Sequence, residues 1–206
     1  MSHGAPRAPS RRNPASSSGT TAGVRVFTVG DLEDLAGRGA LSSALTRMTR
    51  SGAVLRLDRG IYFVQRIHPR FGPMWPSADL VVMAVARRTG GQIKMAGPQA
   101  ANMSGLSTQV PARAIYITDG RSRSVTIHNL VVEIRHAGRV EMLLPGTAAG
   151  VFITALLYLG KGGFSESLLR HRLAALSASE TALLRSVRGE LPVWMRGVID
   201  RLSDPA

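Results

Sequence analysis

The chain of 206 residues has no cysteine. That excludes a disulfide framework, a cysteine nucleophile and any thiolate-bound metal. Lysine is nearly absent as well: all but two of the 26 basic residues are arginine, the exceptions being Lys94 and Lys161. Acids are scarce, 13 in all, which leaves a formal net charge of +13. No stretch approaches the roughly 18 consecutive apolar residues that a transmembrane helix needs. The N-terminal arginines precede no apolar segment, so no secretory signal is expected. A hydrophobic content of 44% then points to a globular protein, soluble and cytoplasmic, with enough chain for one large or two small domains. Preference for arginine over lysine can follow from codon composition, but that does not account for the shortage of acids. The charge therefore points to a polyanionic partner, nucleic acid before an anionic membrane surface.

Residues 1–23 are rich in Pro, Ser and Gly, carry Arg7, Arg11 and Arg12, and hold no acid. They lack apolar periodicity and cannot bury enough surface to offset their ordering entropy, so this stretch reads as a disordered basic tail. Arg11 and Arg12 are candidates to reach DNA phosphates or a minor groove from it.

The spacing from Thr28 to Asp31 fits a capping box, with Asp31, Glu33 and Asp34 in the first turns of a short helix that buries Leu32 and Leu35. Gly37-Arg38-Gly39 is expected to break it. A second helix over 40–51 follows, its apolar face made by Leu41, Leu45 and Met48. Ser42, Ser43, Thr46, Arg47 and Arg50 are small polar or cationic residues directed largely away from that face, with no acid among them. After Gly52 the period becomes two. Residues 54–58 and 61–64 read as a hairpin turning at Asp58-Arg59-Gly60, with Arg56 and Arg59 near its tip. Helix, glycine turn, helix and basic hairpin describe a winged helix-turn-helix over 24–68. Its second helix suits a major groove, and Arg56 and Arg59 suit phosphates. Residues 1–75 hold eleven arginines against four acids, about half of the excess charge in a third of the chain.

Pro69, Pro73 and Pro76 cannot sit in a helix or central strand, so 69–76 is expected to be a linker, with Phe71 and Trp75 packed between domains. The second domain, 77–206, opens on a helix capped by Ser77 and ended by Gly90-Gly91. A strand near 92–96, a short helix starting at Pro98, a strand over 114–118 and a hairpin turning at His128-Asn129 follow. Residues 146–160 form an apolar core helix, and three amphipathic helices span about 165–176, 179–187 and 192–202. Ser177 and Glu180 make a second capping box. The fold class is α+β: a winged helix-turn-helix, then a mixed domain with a small β-sheet and C-terminal helices.

Catalytic patterns are missing. Gly160-Lys161-Gly162-Gly163 lacks the upstream glycine and the following Ser or Thr of a phosphate-binding loop. His128 and His136 have no carboxylates with which to make a metal site. No catalytic residue, metal ligand or cofactor is assigned. A pocket gathering Asp119, His128 and Glu133 would reopen the question of an enzyme.

The segment 100–120 is the most distinctive. It has a small-residue helix, a Gly105-Leu106-Ser107-Thr108-Gln109-Val110-Pro111 turn, and a strand ending Thr118-Asp119-Gly120. It resembles the block that AbiEi-type antitoxins carry after their winged helix. Arg59-Gly60-Ile61-Tyr62 is similar to the wing of that family, and Leu156-Leu157-Tyr158-Leu159-Gly160-Lys161 to a late core helix. The resemblance covers about residues 26–200. It implies an antitoxin of a type IV toxin–antitoxin system that binds inverted repeats in its own promoter and represses transcription. Its partners would be double-stranded operator DNA and, functionally, a nucleotidyltransferase-like toxin, with 77–206 as the antitoxin domain. The alternative is an antitoxin that binds the toxin directly, with DNA binding secondary. A monomer pairing on DNA is favoured over a stable dimer. Two departures stand out: family members have a helix where 16–25 reads as disorder, and they use more lysine.

Overall fold

The computed structural model describes residues 24–203, and Arg11 and Arg12 of the expected tail lie outside them. Among the described residues the fold is α+β, with nine strands and seven α-helices. β1 (Arg25–Thr28) leads to a 3₁₀ turn at Gly30–Leu32, then to α1 (Arg38–Arg50), β2 (Leu55–Asp58) and β3 (Ile61–Val64). These strands form an antiparallel sheet ordered β1-β3-β2.

The expected hairpin is present, with Gly60 supplying the left-handed φ of +73° that its turn requires. The strand β1 was not expected. It is short and carries no alternation strong enough to be read; its pairing with β3, from Arg25 opposite Val64 to Thr28 opposite Ile61, defines it.

The first expected helix is corrected. The capping box forms reciprocally: the Thr28 amide donates to Asp31 Oδ2 at 2.8 Å, and the Asp31 amide to Thr28 Oγ1 at 3.2 Å. Only a 3₁₀ turn follows it, because Leu35 has nothing to pack on and stays 76% exposed. Gly37 is the extended N-cap of α1, so Arg38 and Gly39 begin that helix instead of breaking a preceding one. Leu41 and Leu45 are buried as expected, whereas Met48 is exposed near the helix end.

Residues expected to be a linker contain a two-stranded antiparallel hairpin, β4 (Arg66–His68) and β5 (Gly72–Met74). Pro73 is tolerated because these strands pair only with each other. Trp75 packs as expected: its ring lies 5.6 Å from that of Phe63 and stacks at 4.7 Å on His128. Phe71 instead stays 70% exposed at the hairpin turn.

Helix α2 (Ala78–Thr89) has Ser77 as its N-cap and Gly90 as a left-handed C-cap. Strands β6 (Ile93–Met95), β7 (Ala114–Thr118), β8 (Arg123–Ile127) and β9 (Leu130–His136) form a sheet ordered β6-β7-β9-β8, with β7 and β9 parallel. One core joins this sheet through Tyr116, Val125, Val132 and Ile134 to Val81 and Val85 of α2 and to Ile61 of β3. Residues on either side of 69–76 thus bury their apolar surface together.

A second core is helical. It is built from α3 (Gly97–Met103), α4 (Ala148–Leu159), α5 (Glu166–Ala174), α6 (Ala178–Ser186) and α7 (Val193–Ser203). Phe152, Ile153, Leu156, Leu169, Leu184 and Met195 are fully or almost fully buried there. Close approach of α3 to α4 depends on Gly97, where a Cβ would fall 2.3 Å from Tyr158 Cβ.

The capping box at Ser177 is half of what was expected. Ser177 Oγ accepts the Glu180 amide at 3.2 Å, but the Glu180 carboxylate accepts the Ala149 amide at 2.7 Å. It serves the first turn of α4 because packing α6 on α4 brings that amide within reach.

Lys94 is buried in this body. Its ammonium donates to the carbonyls of Glu141 at 2.8 Å, Leu143 at 2.7 Å and Gly150 at 3.1 Å. It ties the edge strand β6 to the loop before α4 and to that helix's first turn. Burial pushes its pKa down from 10.5 to about 8, opposed by the negative charge of Glu141.

Candidate nucleic-acid interface

Helix α1 is anchored by Leu41 and Leu45 beneath it and by the tight return in which the Val54 amide donates to the Met48 carbonyl at 3.2 Å. Anchoring that side leaves Ser42, Ser43, Thr46, Arg47 and Arg50 all exposed. The five therefore share one accessible helix surface, as the sequence spacing required. Thr46 Oγ1 donates back to the Ser42 carbonyl at 2.8 Å. Arg47 and Arg50 have no carboxylate partner among the described residues. Small side chains allow close backbone approach to a groove, and unpaired guanidiniums can fork onto guanine edges or phosphates.

The hairpin arginines are placed differently. Arg56 is exposed on β2, and its Nε donates to the Asp58 carbonyl at 3.2 Å. Arg59 is exposed at the turn, but its carbonyl accepts from Arg88, and Arg88 also pairs with Asp58 at 3.3 Å. Next to it on α2, Arg87 pairs with Asp31 at 3.3 Å and donates to the Val26 carbonyl. The end of α2 thus clamps both the capping turn and the hairpin tip.

This arrangement divides the charge along the three-stranded sheet. One end holds the β2–β3 turn and the capping turn, since Thr28 and Asp58 both lie opposite Ile61. All four acids of residues 24–74, namely Asp31, Glu33, Asp34 and Asp58, cluster there, and three pair with Arg87, Arg38 and Arg88. At the opposite end Arg25 pairs across to Val64, α1 delivers Arg47 and Arg50 just before β2, and Gln65 leads into Arg66 and the β4–β5 hairpin. Arg25, Arg66 and Arg70 are exposed and, among the described residues, have no carboxylate partner. Sequence reasoning missed these three. Their signal was the absence of any acid from residue 59 to residue 78.

The groups that would have made a catalytic pocket lie apart. Asp119 Oδ1 accepts the Gln92 amide at 2.8 Å, His128 stacks on Trp75, and Glu133 is held by Arg135 at 2.6 Å and Arg113 at 3.8 Å. His136 Nδ1 lies 2.9 Å from the Gly120 carbonyl, so the two histidines do not face each other. Among the described residues no group of three or more His, Asp or Glu gathers as a metal site. Tyr116 has its pKa raised by burial and by its 2.6 Å hydrogen bond to Asp79, which marks it as a structural anchor between β7 and α2. A shallow groove of about 350 Å³ runs between Pro98, Val110, Pro111, Arg113 and Tyr158. No helix among the described residues is long and apolar enough to cross a membrane.

No curated protein and no solved structure matches the chain. The sequence does match a family over residues 18–182, a span that includes the capping turn, α1, both hairpins, the mixed sheet and most of the helical core. The protein therefore belongs to the family of unknown function DUF6088.

Proposed function

We propose that this protein binds double-stranded DNA through α1, with residues 24–68 acting as a winged-helix module in which a 3₁₀ turn stands in place of the first helix. The observation that carries this reading is the outward face of α1: Ser42, Ser43, Thr46, Arg47 and Arg50, exposed together and without a carboxylate counter-ion among the described residues. A three-stranded β1-β3-β2 sheet whose β2–β3 hairpin follows the helix supports the same reading. Taken with the sequence resemblance, the role is that of a cytoplasmic antitoxin of a type IV toxin–antitoxin pair that represses its own promoter. Neutralisation would fall to residues 77–206.

Mobility shifts with the duplex upstream of its own gene test the DNA reading. Arg47→Ala together with Arg50→Ala is expected to abolish the preference for that duplex over a scrambled one. Unchanged affinity and preference would overturn the assignment of α1. Expression beside the adjacent gene tests the antitoxin role, and failure to relieve growth arrest would remove it. Truncation at residue 75 is a poor separation of the two roles, because Ile61 and α2 share a core. The double arginine variant in the full chain separates them cleanly.

A second reading, direct binding of the toxin, is favoured by the groove beside Val110 and Tyr158, where Val110 is 81% exposed and Tyr158 51%. Co-purification of the two proteins, lost on Val110→Asp, would support it.

A further inference from the structure

We propose that the β4–β5 hairpin is a second DNA-contacting element. In it, Arg66 and Arg70 meet phosphates, and Phe71, with the Ile67–Pro73 pair, meets the minor groove beside the major groove entered by α1. This rests on the DNA reading above and changes where the second contact lies. In the winged-helix expectation that contact is the β2–β3 turn. Here the turn is the acidic end of the sheet, clamped by Arg88 through Asp58 and the Arg59 carbonyl.

Topology sets the hairpin at the other end. α1 runs into β2 through Val54, Leu55 lies opposite Phe63, and one residue beyond Val64 the chain enters β4. Arg47 and Arg50 in the last turns of α1 therefore share an end of the sheet with Arg25, Arg66 and Arg70. These five cations have no acid among them. Arginines without a carboxylate partner among the described residues favour a polyanion, because bound negative charge relieves their mutual repulsion.

The apolar groups on the hairpin narrow the choice. Ile67 is 77% exposed and lies opposite Pro73, which is also exposed, while Phe71 stands at the turn. Apolar wedges flanked by arginine are what minor-groove proteins press against base steps. The turn is also held in shape. His68 Nδ1 accepts the Arg70 amide at 3.1 Å and the Phe71 amide at 3.3 Å. The Phe71 ring lies 4.8 Å from that of His68, and the Arg70 guanidinium sits 5.6 Å over the Phe71 ring. A turn already ordered loses little conformational entropy on binding.

The test uses the full-length protein and two labelled duplexes, each about two helical turns long: the upstream sequence and a mixed sequence. Binding is followed by anisotropy across a salt series. Losing two phosphate contacts through Arg66→Ala and Arg70→Ala should make the slope of log K against log salt shallower by about 1.8. Affinity for both duplexes should fall about 30-fold at 0.15 M salt. Arg66→Lys with Arg70→Lys should keep the slope. Phe71→Ala should keep the slope but lose the fluorescence rise of a 2-aminopurine placed in the bound minor groove. If Arg47→Ala/Arg50→Ala weakens binding while Arg66→Ala/Arg70→Ala changes neither affinity nor slope, the hairpin proposal is overturned and the DNA reading stands. If the unaltered protein binds neither duplex, both fall. If the hairpin variants leave DNA binding intact but break a protein complex, the hairpin is a protein-docking element and this proposal is wrong.

Discussion

Replacing Lys94 with Met keeps the length and apolar volume of the side chain and removes its ammonium. Of the three carbonyls it serves, that of Gly150 keeps Thr154 Oγ1 as a donor at 3.0 Å, so two are stranded, those of Glu141 and Leu143. Both are part-buried, and stranding each costs about 1 to 3 kcal/mol, or about 4 kcal/mol for the pair. Against this stands the relief of a buried charge. A pKa lowered from 10.5 to about 8 means that the charged lysine costs the folded state about 3 kcal/mol at neutral pH. The net loss for Lys94→Met at pH 7 is then about 1 kcal/mol. Between about pH 8 and 10.5 the unfolded chain binds more protons at this site than the folded one, so stability rises with pH across that window. Above it, the charge penalty is gone from the native protein and the full cost of about 4 kcal/mol remains in the variant. Tyr116, whose pKa is raised on folding, lowers stability at high pH, but it does so equally in both proteins. Urea unfolding of native and Lys94→Met protein at pH 7 and pH 10.5 gives the difference directly. A gap that does not widen with pH would refute the reasoning, as would a variant equal to native at both values.

Three further outcomes follow from other contacts. Gly97→Ala drives a Cβ to within 2.3 Å of Tyr158 and should lower stability by about 1 to 3 kcal/mol, read as a reduced urea midpoint with an unchanged slope. Glu180→Ala leaves the Ala149 amide at the start of α4 without its partner and should cost about 1 to 2 kcal/mol, with faster amide exchange in that first turn. Arg88→Met releases the hairpin turn from α2 and should cost about 1 kcal/mol; exchange should quicken at Asp58 and Arg59 while α1 keeps its protection.

Local signals carried much of the fold. The hairpin turn at Gly60, the Ser77 and Ser177 caps, the helix at Pro98 and the apolar α4 were legible because each depends on residues within a few positions of one another. β1 was not, since its evidence lies in β3, more than thirty residues away. Nor was the destination of Glu180, whose carboxylate serves another helix. The α1 face at Ser42, Ser43, Thr46, Arg47 and Arg50 was readable from helical spacing. Arg25, Arg66 and Arg70 went unremarked because nothing local brings β1, α1 and β4 to one end of a sheet.

Composition by itself determined that this protein has a large positive excess with no thiol chemistry, and periodicity determined which helix faces and strand edges are apolar. Those are properties of neighbouring residues and survive without a fold. Only the tertiary structure decided which charges cancel. Salt bridges from Arg38, Arg87 and Arg88 neutralise three of the four acids at one end of the three-stranded sheet, while strand pairing and the return from α1 collect arginines without a carboxylate partner among the described residues at the other. Charge acts through space, over distances that separation along the chain does not measure, so net charge named a class of partner and the fold alone gave that charge a direction.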